Sequence, residues 1–223
     1  MADVENRDQK EVEIVRVLSR EFNRARTSLL ALIPDLDRWT TDIDPRFWDE
    51  HGQKLNALLT PLMTSNYLAQ AEVFMAEFEF LGVEWGLVNE AAAEWARQYT
   101  YELVKDLMET DRRTLRKLIP QFFEQQMTQG QLRDALSPMF GPVRAEMIAR
   151  TEVTRAASEG EQGIARQLAN QGINMVPVWN TRMDEIVCPI CGPKANNKIE
   201  DGNYPPAHPR CRCWVTHELP KEA

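Results

Sequence analysis

The chain has 223 residues, 43% of them hydrophobic and 27% charged, and its 34 acidic and 26 basic side chains leave a net charge of −8. This size allows one large domain or two small ones, and the composition is typical of a folded globular protein. The negative charge excludes a surface that attracts nucleic acid over its whole area, so any contact with phosphate must be local. The apolar run at residues 29–33 is too short for a membrane span and the charged start is unlike a signal peptide, so we expect a protein made in the cytoplasm without a membrane partner.

The first predicted element is an amphipathic helix over about residues 10–33. Apolar residues recur there at steps of three and four, beginning at Val15, and Pro34 ends the pattern. Clustered aspartates and Pro45 predict a linker over about residues 34–52. The apolar seam is too short for an isolated coiled coil, so we assign a partner-docking helix, with packing against the rest of the chain as the alternative.

The next part of the chain is predicted to be helical throughout. Periodic apolar residues predict helices over residues 67–81 and 95–107 and a third over residues 115–119. A cap at Thr110 or Asp111 should begin this third helix, and Pro120 should break or kink it. These aromatic stripes are typical of a helical core and not of a cofactor site.

Two further helices precede the cysteines. Thr128 and Gln131 form a capping-box pattern, which predicts a short helix that Pro138 breaks. Pro142 then opens a long helix that ends near Gly172. This helix contains glycines at 160 and 163, which favour close packing of another backbone.

All four cysteines lie near the end of the chain, between two short predicted strands at about residues 175–181 and 213–216. Cys188 and Cys191 are three residues apart, and His208 and Cys211 repeat that spacing. Two such pairs supply the four N or S ligands of a structural zinc ion, which leaves no open position for catalysis. Cys213 is the alternative fourth ligand, and an all-cysteine set is the next possibility. Idle thiols or a redox Cys-x-x-Cys pair are less favoured, because no long helix follows the pair.

The sequence therefore predicts a mostly α, α+β fold: a helical N-terminal and central part followed by a small C-terminal β and zinc-knuckle module. We divide the chain into residues 1–105 and residues 106–223, and place the Cys/His module, here called the metal module, at residues 179–217. No Ser/His/Asp or Cys/His nucleophilic arrangement is recognisable, so we expect no enzyme and no catalytic residues.

The second half of the chain, from about Thr110 to His217, resembles the phage Mu F-like minor head proteins, the head morphogenesis family of tailed bacteriophages. The resemblance rests on the order and spacing of four groups of residues: Ile148-Ala149-Arg150-Thr151-Glu152 with Arg155; Trp179, Thr181 and Asp184; Cys188-x-x-Cys191; and Pro205-Pro206-x-His208-Pro209-x-Cys211-Arg212-Cys213.

This resemblance implies a minor capsid protein of the virion that lies inside the head near the portal vertex. Its expected partners are the portal protein and other head proteins, and its role is in capsid assembly and in DNA packaging or ejection.

We expect Asp184 and Thr181 to fix the turn before the first cysteine pair. For the long helix, a surface pair of Glu152 with Arg155 is the plain interpretation. The sharper hypothesis is that Arg150 or Glu152 binds the turn formed by residues 208–213.

A nucleic-acid-binding zinc module, or a zinc-stabilised adaptor outside phage, is the alternative function. Packaged DNA is then a further possible partner, because four basic side chains surround the cysteines and offer local positive charge. These candidates for contact with phosphate are Lys194, Lys198, Arg210 and Arg212.

Overall fold

The structure is a computed structural model that describes Val4 and residues 6–78, 80–200 and 202–220. Its order is five helices followed by two strands, with short 3-10 turns at Ile33–Asp35 and Gly192–Lys194. The predicted α+β, mostly α class is confirmed. The elements are α1 (Arg7–Leu32), α2 (Pro45–Glu77), α3 (Trp85–Glu124), α4 (Gln129–Phe140), α5 (Pro142–Asn170), β1 (Val176–Asn180) and β2 (Trp214–Glu218).

Several sequence signals act locally as expected. The Thr128 side chain accepts from the backbone N–H of Gln131, and the Gln131 side chain accepts from the N–H of Thr128, so the predicted capping box is confirmed. Pro142 is the first residue of α5, and Gly172 follows its end with a φ of 85°. That φ lies in the left-handed region that favours glycine.

The structure differs from the predictions made for two prolines and for the linker. Pro120 and Pro138 lie inside α3 and α4, near their last turns, so neither breaks its helix. A proline there removes one backbone hydrogen bond, a loss that the packing of the surrounding helix offsets. The predicted helices over residues 95–107 and 115–119 are therefore one, with no cap near Thr110. The predicted linker over residues 34–52 is also too long, because α2 begins at Pro45.

The chain divides into two compact units, each assembled from separated segments. The site unit contains residues 1–12, 61–96 and 147–223, and the helical unit contains residues 13–60 and 97–146. The predicted domain boundary between residues 105 and 106 falls inside α3. None of the helices among the described residues has the length and hydropathy that crossing a bilayer requires.

The helical unit is stabilised by the burial of apolar side chains. The face of α1 formed by Ile14, Leu18, Phe22 and Leu29 is at most 1% exposed, and the Phe22 ring meets the Phe140 ring edge-on at 6.0 Å. The assignment of α1 as a partner-docking helix is thus corrected, because its apolar face is already buried within the fold.

The core of the site unit lies where α2, the start of α3 and α5 meet. A Cβ at Gly160 would overlap the backbone carbonyl of Tyr67, and a Cβ at Gly163 would overlap the Tyr67 phenol. The predicted close approach of another backbone to α5 is confirmed, and the helix-interior glycines are explained by it. The buried core consists of Tyr67, Ala71, Phe74, Met75, Val88, Ala92, Ile164 and Leu168.

Candidate metal centre

The two strands set the position of the metal module. β1 and β2 are antiparallel, with Trp179 opposite Val215 and Asn180 opposite Trp214. The other edge of β1 binds the loop: Trp179 donates its N–H to Asn197 and accepts from the N–H of Asn196 through its carbonyl. These bonds attach residues 196–197 of the cysteine loop to β1. The Trp179 side chain packs against the cysteine cluster and is 2% exposed.

The first pair of candidate ligands lies in a tight turn. The backbone N–H of Cys191 donates to the Cys188 carbonyl at 3.1 Å, with a second, longer contact to Cys188 Sγ at 3.4 Å, and Gly192 donates to the same carbonyl at 3.0 Å. N–H groups that point at a sulfur stabilise its thiolate form, so this turn suits a metal ligand.

The second pair is oriented by its own backbone. The Nδ1–H of His208 donates to the Pro209 carbonyl at 2.8 Å, which leaves Nε2 free as a ligand atom. Nε2 lies 3.0 Å from Cys188 Sγ and 3.2 Å from Cys191 Sγ. Cys211 donates its backbone N–H to the His208 carbonyl at 3.2 Å, so the spacing of three residues closes a turn here too.

Five candidate ligand atoms form two groups that share Cys191. One group is Cys188, Cys191 and His208, and the other is Cys191, Cys211 and Cys213, each with its ligand atoms within 4.8 Å of one another. The sulfurs of Cys191 and Cys211 are 3.8 Å apart. An ideal zinc tetrahedron with Zn–S bonds of about 2.3 Å has edges of about 3.8 Å. The donor set therefore fits a metal ion that prefers sulfur and imidazole.

A small cavity of about 40 Å³ lies beside these atoms and is lined in part by Cys188, Cys191, His208 and Cys213. A cavity of this size has room for an ion or a few water molecules, but not for an organic substrate.

The pKa values of the clustered thiols are shifted in different directions. A hydrogen bond from Cys213 lowers the pKa of Cys211 to about 5, and burial raises the pKa of Cys191 to about 12. The hydrogen bond that Cys213 donates raises its own pKa. Sulfurs this close cannot all ionise side by side, because their negative charges repel one another. A divalent cation removes that penalty, and so this cluster matches the chemistry of a metal site.

Helix α5 packs on the second ligand pair through two threonines. Thr154 Oγ1 donates to the Cys211 carbonyl at 2.9 Å, and Thr151 Oγ1 accepts from the Arg210 N–H at 3.0 Å. The helix therefore does contact the turn at residues 208–213. Arg150, however, binds Glu11 at 3.2 Å, which corrects the hypothesis that it reaches this turn. Glu152 lies 3.7 Å from Arg155, so the predicted pair is present, but the Glu152 side chain is buried and the pair is not one on the surface.

Arg7 is a further contributor that the sequence analysis missed. Its guanidinium, on a residue that is 3% exposed, donates to Thr154 Oγ1 at 2.7 Å and to the carbonyls of Arg212 and Cys213 at 3.3 and 3.4 Å. Thr154 had a usable signal, since it follows Thr151 by three residues on one helix face. Arg7 had none, because it lies 205 residues before Arg212.

The supporting residues predicted from the resemblance have separate roles. The Asp184 carboxylate accepts from the Ile186 N–H at 3.1 Å, the expected Asx-type bond, and also binds both terminal nitrogens of Arg212 at 2.7 and 2.6 Å. Thr181 is buried, and its hydroxyl has no partner among the residues that the structure describes.

The four basic candidates for contact with phosphate are not alike. The Arg212 charge is paired with Asp184, and Lys194 Nζ lies 4.8 Å from the Trp179 ring centre. Lys198 and Arg210 are exposed. Two exposed cations give only a weak attraction for a phosphate backbone.

No protein-family model, curated protein or solved structure matches this chain significantly.

Proposed function

We propose that this chain is a minor head protein of a tailed bacteriophage, which uses one structural zinc ion to shape a C-terminal assembly surface. The observation that carries the proposal is that Cys191 belongs to two ligand groups, one with Cys188 and His208 and one with Cys211 and Cys213, so that residues from both ends of a turn-rich loop meet at one sulfur. Its ligands are Cys188, Cys191, His208 and Cys211, and a fully coordinated ion of this kind stabilises a fold without taking part in a reaction.

Cys211 is the better fourth ligand on geometric grounds. Its sulfur lies one tetrahedral edge from Cys191 Sγ, at 3.8 Å. Its backbone is also fixed, since its N–H binds the His208 carbonyl and its carbonyl binds Thr154. Cys213 then acts as a hydrogen-bond donor to the Cys211 thiolate, a contact that orients a ligand without replacing it.

A role in assembly is supported by this geometry together with the resemblance. The loop between the ligand pairs is rich in turn-forming residues and has little apolar surface to bury, so a bound ion supplies the energy that orders it. The ordered module, held against α5, then presents a fixed surface to a partner protein. The order of the motifs from Arg150 to Cys213 is similar to that of the phage minor head family, and this similarity supports a position inside the head at the portal vertex.

Metal analysis of the purified full-length chain tests the zinc site. We expect one zinc ion per chain, lost with a strong chelator together with a large fall in Tm. Cys211→Ser should abolish tight binding, and the matched variant Cys213→Ser should retain the ion with weakened affinity. A chain that holds no metal, or that loses it only in Cys213→Ser, would contradict the proposed ligand set.

Co-purification tests the role in the phage head. The gene should lie beside genes for a portal protein and a terminase, and the co-expressed portal protein should elute together with this chain. The Cys191→Ser variant should lose that association if the metal module forms the contact surface. An unrelated gene neighbourhood would overturn the phage assignment and leave the zinc site intact.

A further inference from the structure

The four cysteines of the candidate metal centre differ in their access to solvent. Cys188 is half-buried, whereas Cys191, Cys211 and Cys213 are 2%, 1% and 4% exposed. The cavity of about 40 Å³ beside the ligand atoms is lined by Cys188 together with the buried Cys191 and Cys213. Hydrogen peroxide has two heavy atoms and the size of about two water molecules, so it fits a cavity of this volume. Cys188 is therefore the sulfur that a small oxidant from solvent meets first.

The turn from Cys188 to Cys191 places a second thiol beside this first one. The Cys191 N–H donates to the Cys188 carbonyl at 3.1 Å, which closes a turn of four residues. The Cα atoms at the ends of such a turn lie less than about 7 Å apart, and disulfides join Cα atoms that are about 4.4–6.8 Å apart. The two sulfurs also belong to a group of ligand atoms within 4.8 Å of one another. The turn thus brings this pair close to the spacing that a disulfide spans.

Cys191 gives this pair its importance, because it is the candidate ligand that both groups share. A disulfide between Cys188 and Cys191 would remove two ligands from the first group and the shared ligand from the second. A sulfur in a disulfide is no longer a thiolate, and the thiolate is the form that binds a metal. His208, Cys211 and Cys213 would remain, whereas a structural zinc ion takes four ligands. One disulfide is therefore enough to disable both groups.

We propose that Cys188 and Cys191 form an oxidative modification site, at which hydrogen peroxide converts two metal-binding thiolates to a disulfide and so releases the ion. The inference rests on the proposed zinc site and assigns to it a second, metal-free state. The order of the metal module, and with it the proposed assembly surface, then depends on the oxidation state of one pair of cysteines.

The reaction has two steps. The Cys188 thiolate attacks one oxygen of the peroxide, the O–O bond breaks, and a sulfenic acid and hydroxide form. The Cys191 thiolate then attacks the sulfenic sulfur, which forms the S–S bond and expels a second hydroxide. The two thiolates lose two electrons, the peroxide gains them, and two protons from solvent convert the hydroxides to water.

Cys211 is the competing partner for Cys191, because their sulfurs are 3.8 Å apart. The Cys211 side chain is 1% exposed, and its carbonyl accepts from Thr154 of α5. Cys188 is more exposed and lies in the same turn as Cys191, so we assign the disulfide to these two residues. The contact of α5 with Cys211 does not involve the oxidised pair, and a thiol reductant should therefore regenerate the site.

Zinc release from the purified full-length protein tests this inference. Zinc content is measured first, hydrogen peroxide is then added, and the released ion is followed with a colorimetric chelator. We expect peroxide to raise the rate of release about tenfold or more. Peptide mapping by mass spectrometry without reductant should show Cys188 joined to Cys191. Dithiothreitol with added zinc should restore the complex.

Two variants test which sulfur reacts. Cys188→His removes the sulfur that is attacked but offers a nitrogen ligand in its place, so peroxide should raise its zinc release less than about twofold. Cys213→Ser removes a neighbouring thiol instead, and peroxide should accelerate its zinc release as it does in the parent. Each acceleration compares one protein with and without peroxide, so differences in zinc affinity between the proteins cancel.

The outcomes separate this inference from the proposed function. A parent chain that binds zinc and keeps it in peroxide, or a peptide map that joins Cys191 to Cys211, would overturn the inference and leave the zinc site intact. Equal acceleration in Cys188→His and in the parent would overturn it as well. The map of the parent decides the pairing whether or not a variant folds. A chain without zinc before peroxide is added would instead contradict the proposed zinc site itself.

Discussion

The metal module and the helical unit are stabilised in different ways. The metal module spans residues 179–217 and has short strands, a long loop, and polar contacts made by thiols, an imidazole and backbone groups. The helical unit has long helices and a face of α1 in which Leu18 and Leu29 are fully buried. Burial of apolar surface stabilises a fold under most conditions, whereas a ligand cluster stabilises it only with its ion. The two regions should therefore respond to different perturbations.

The largest effect should follow loss of Cys191, the candidate ligand common to both groups. Cys191→Ser should abolish metal binding and unfold the metal module, since structural zinc contributes on the order of 10 kcal/mol. Near-UV circular dichroism of the Trp179 environment should collapse, while most of the far-UV helical signal remains. If the helical signal vanished as well, the two regions would depend on the same stabilising energy.

Phe22→Ala perturbs the helical unit instead. The side chain is 1% exposed and packs on the Phe140 ring, so its removal should lower the free energy of unfolding by about 3–5 kcal/mol. Zinc content should stay unchanged. Val143→Ala is the matched control, because Val143 is 65% exposed and should change stability by less than about 0.5 kcal/mol. A loss of zinc in Phe22→Ala would contradict the separation.

His51 should make the helical unit sensitive to acid. Burial, with Lys54, Arg144 and Arg24 nearby, lowers the pKa of His51 from 6.5 to about 4. The unfolded chain therefore binds this proton at a higher pH than the folded chain does, and stability is complete above pH 6.5 and falls as the pH drops towards 4.

The difference between the parent chain and His51→Gln isolates this effect. Between pH 7 and pH 4 the parent should lose about 3 kcal/mol more unfolding free energy than the variant, measured by urea titration at each pH. Parallel pH profiles would show that His51 is not protonated on unfolding. Because the metal module is identical in both proteins, acid release of the ion cancels in the comparison.

The smallest predicted effect concerns the contact between α5 and the metal module. Thr154→Val keeps the side-chain shape but removes the hydroxyl that binds Arg7 and the Cys211 carbonyl. Leaving these buried groups without a partner should lower the unfolding free energy by about 1–3 kcal/mol and increase the rate of zinc release to a chelator. Thr27→Val, whose hydroxyl is exposed, should do neither. Unchanged zinc release in Thr154→Val would contradict this coupling.

Local physical chemistry accounts for the features that sequence patterns predicted correctly. The capping box at Thr128 and the start of α5 at Pro142 involve neighbours within a few residues, and so do the turns that close at Cys191 and Cys211. Their geometry is set by short-range sterics and hydrogen bonds, which a sequence pattern records directly. The repeat of a spacing of three residues indicated Cys188, Cys191, His208 and Cys211 as candidates, and the structure places these, together with Cys213, in two groups that share Cys191.

The partner that each long-range group finds depended on the folded chain. The sequence could not reveal that the face of α1 is buried, that α3 continues past Pro120, or that Arg7 reaches Thr154. In each case the free energy comes from burial or from hydrogen bonds between residues that are distant in the chain, and periodicity does not specify what a surface packs against. The candidate metal ligands were thus predictable from local spacing, whereas the contacts that hold their module in place were not.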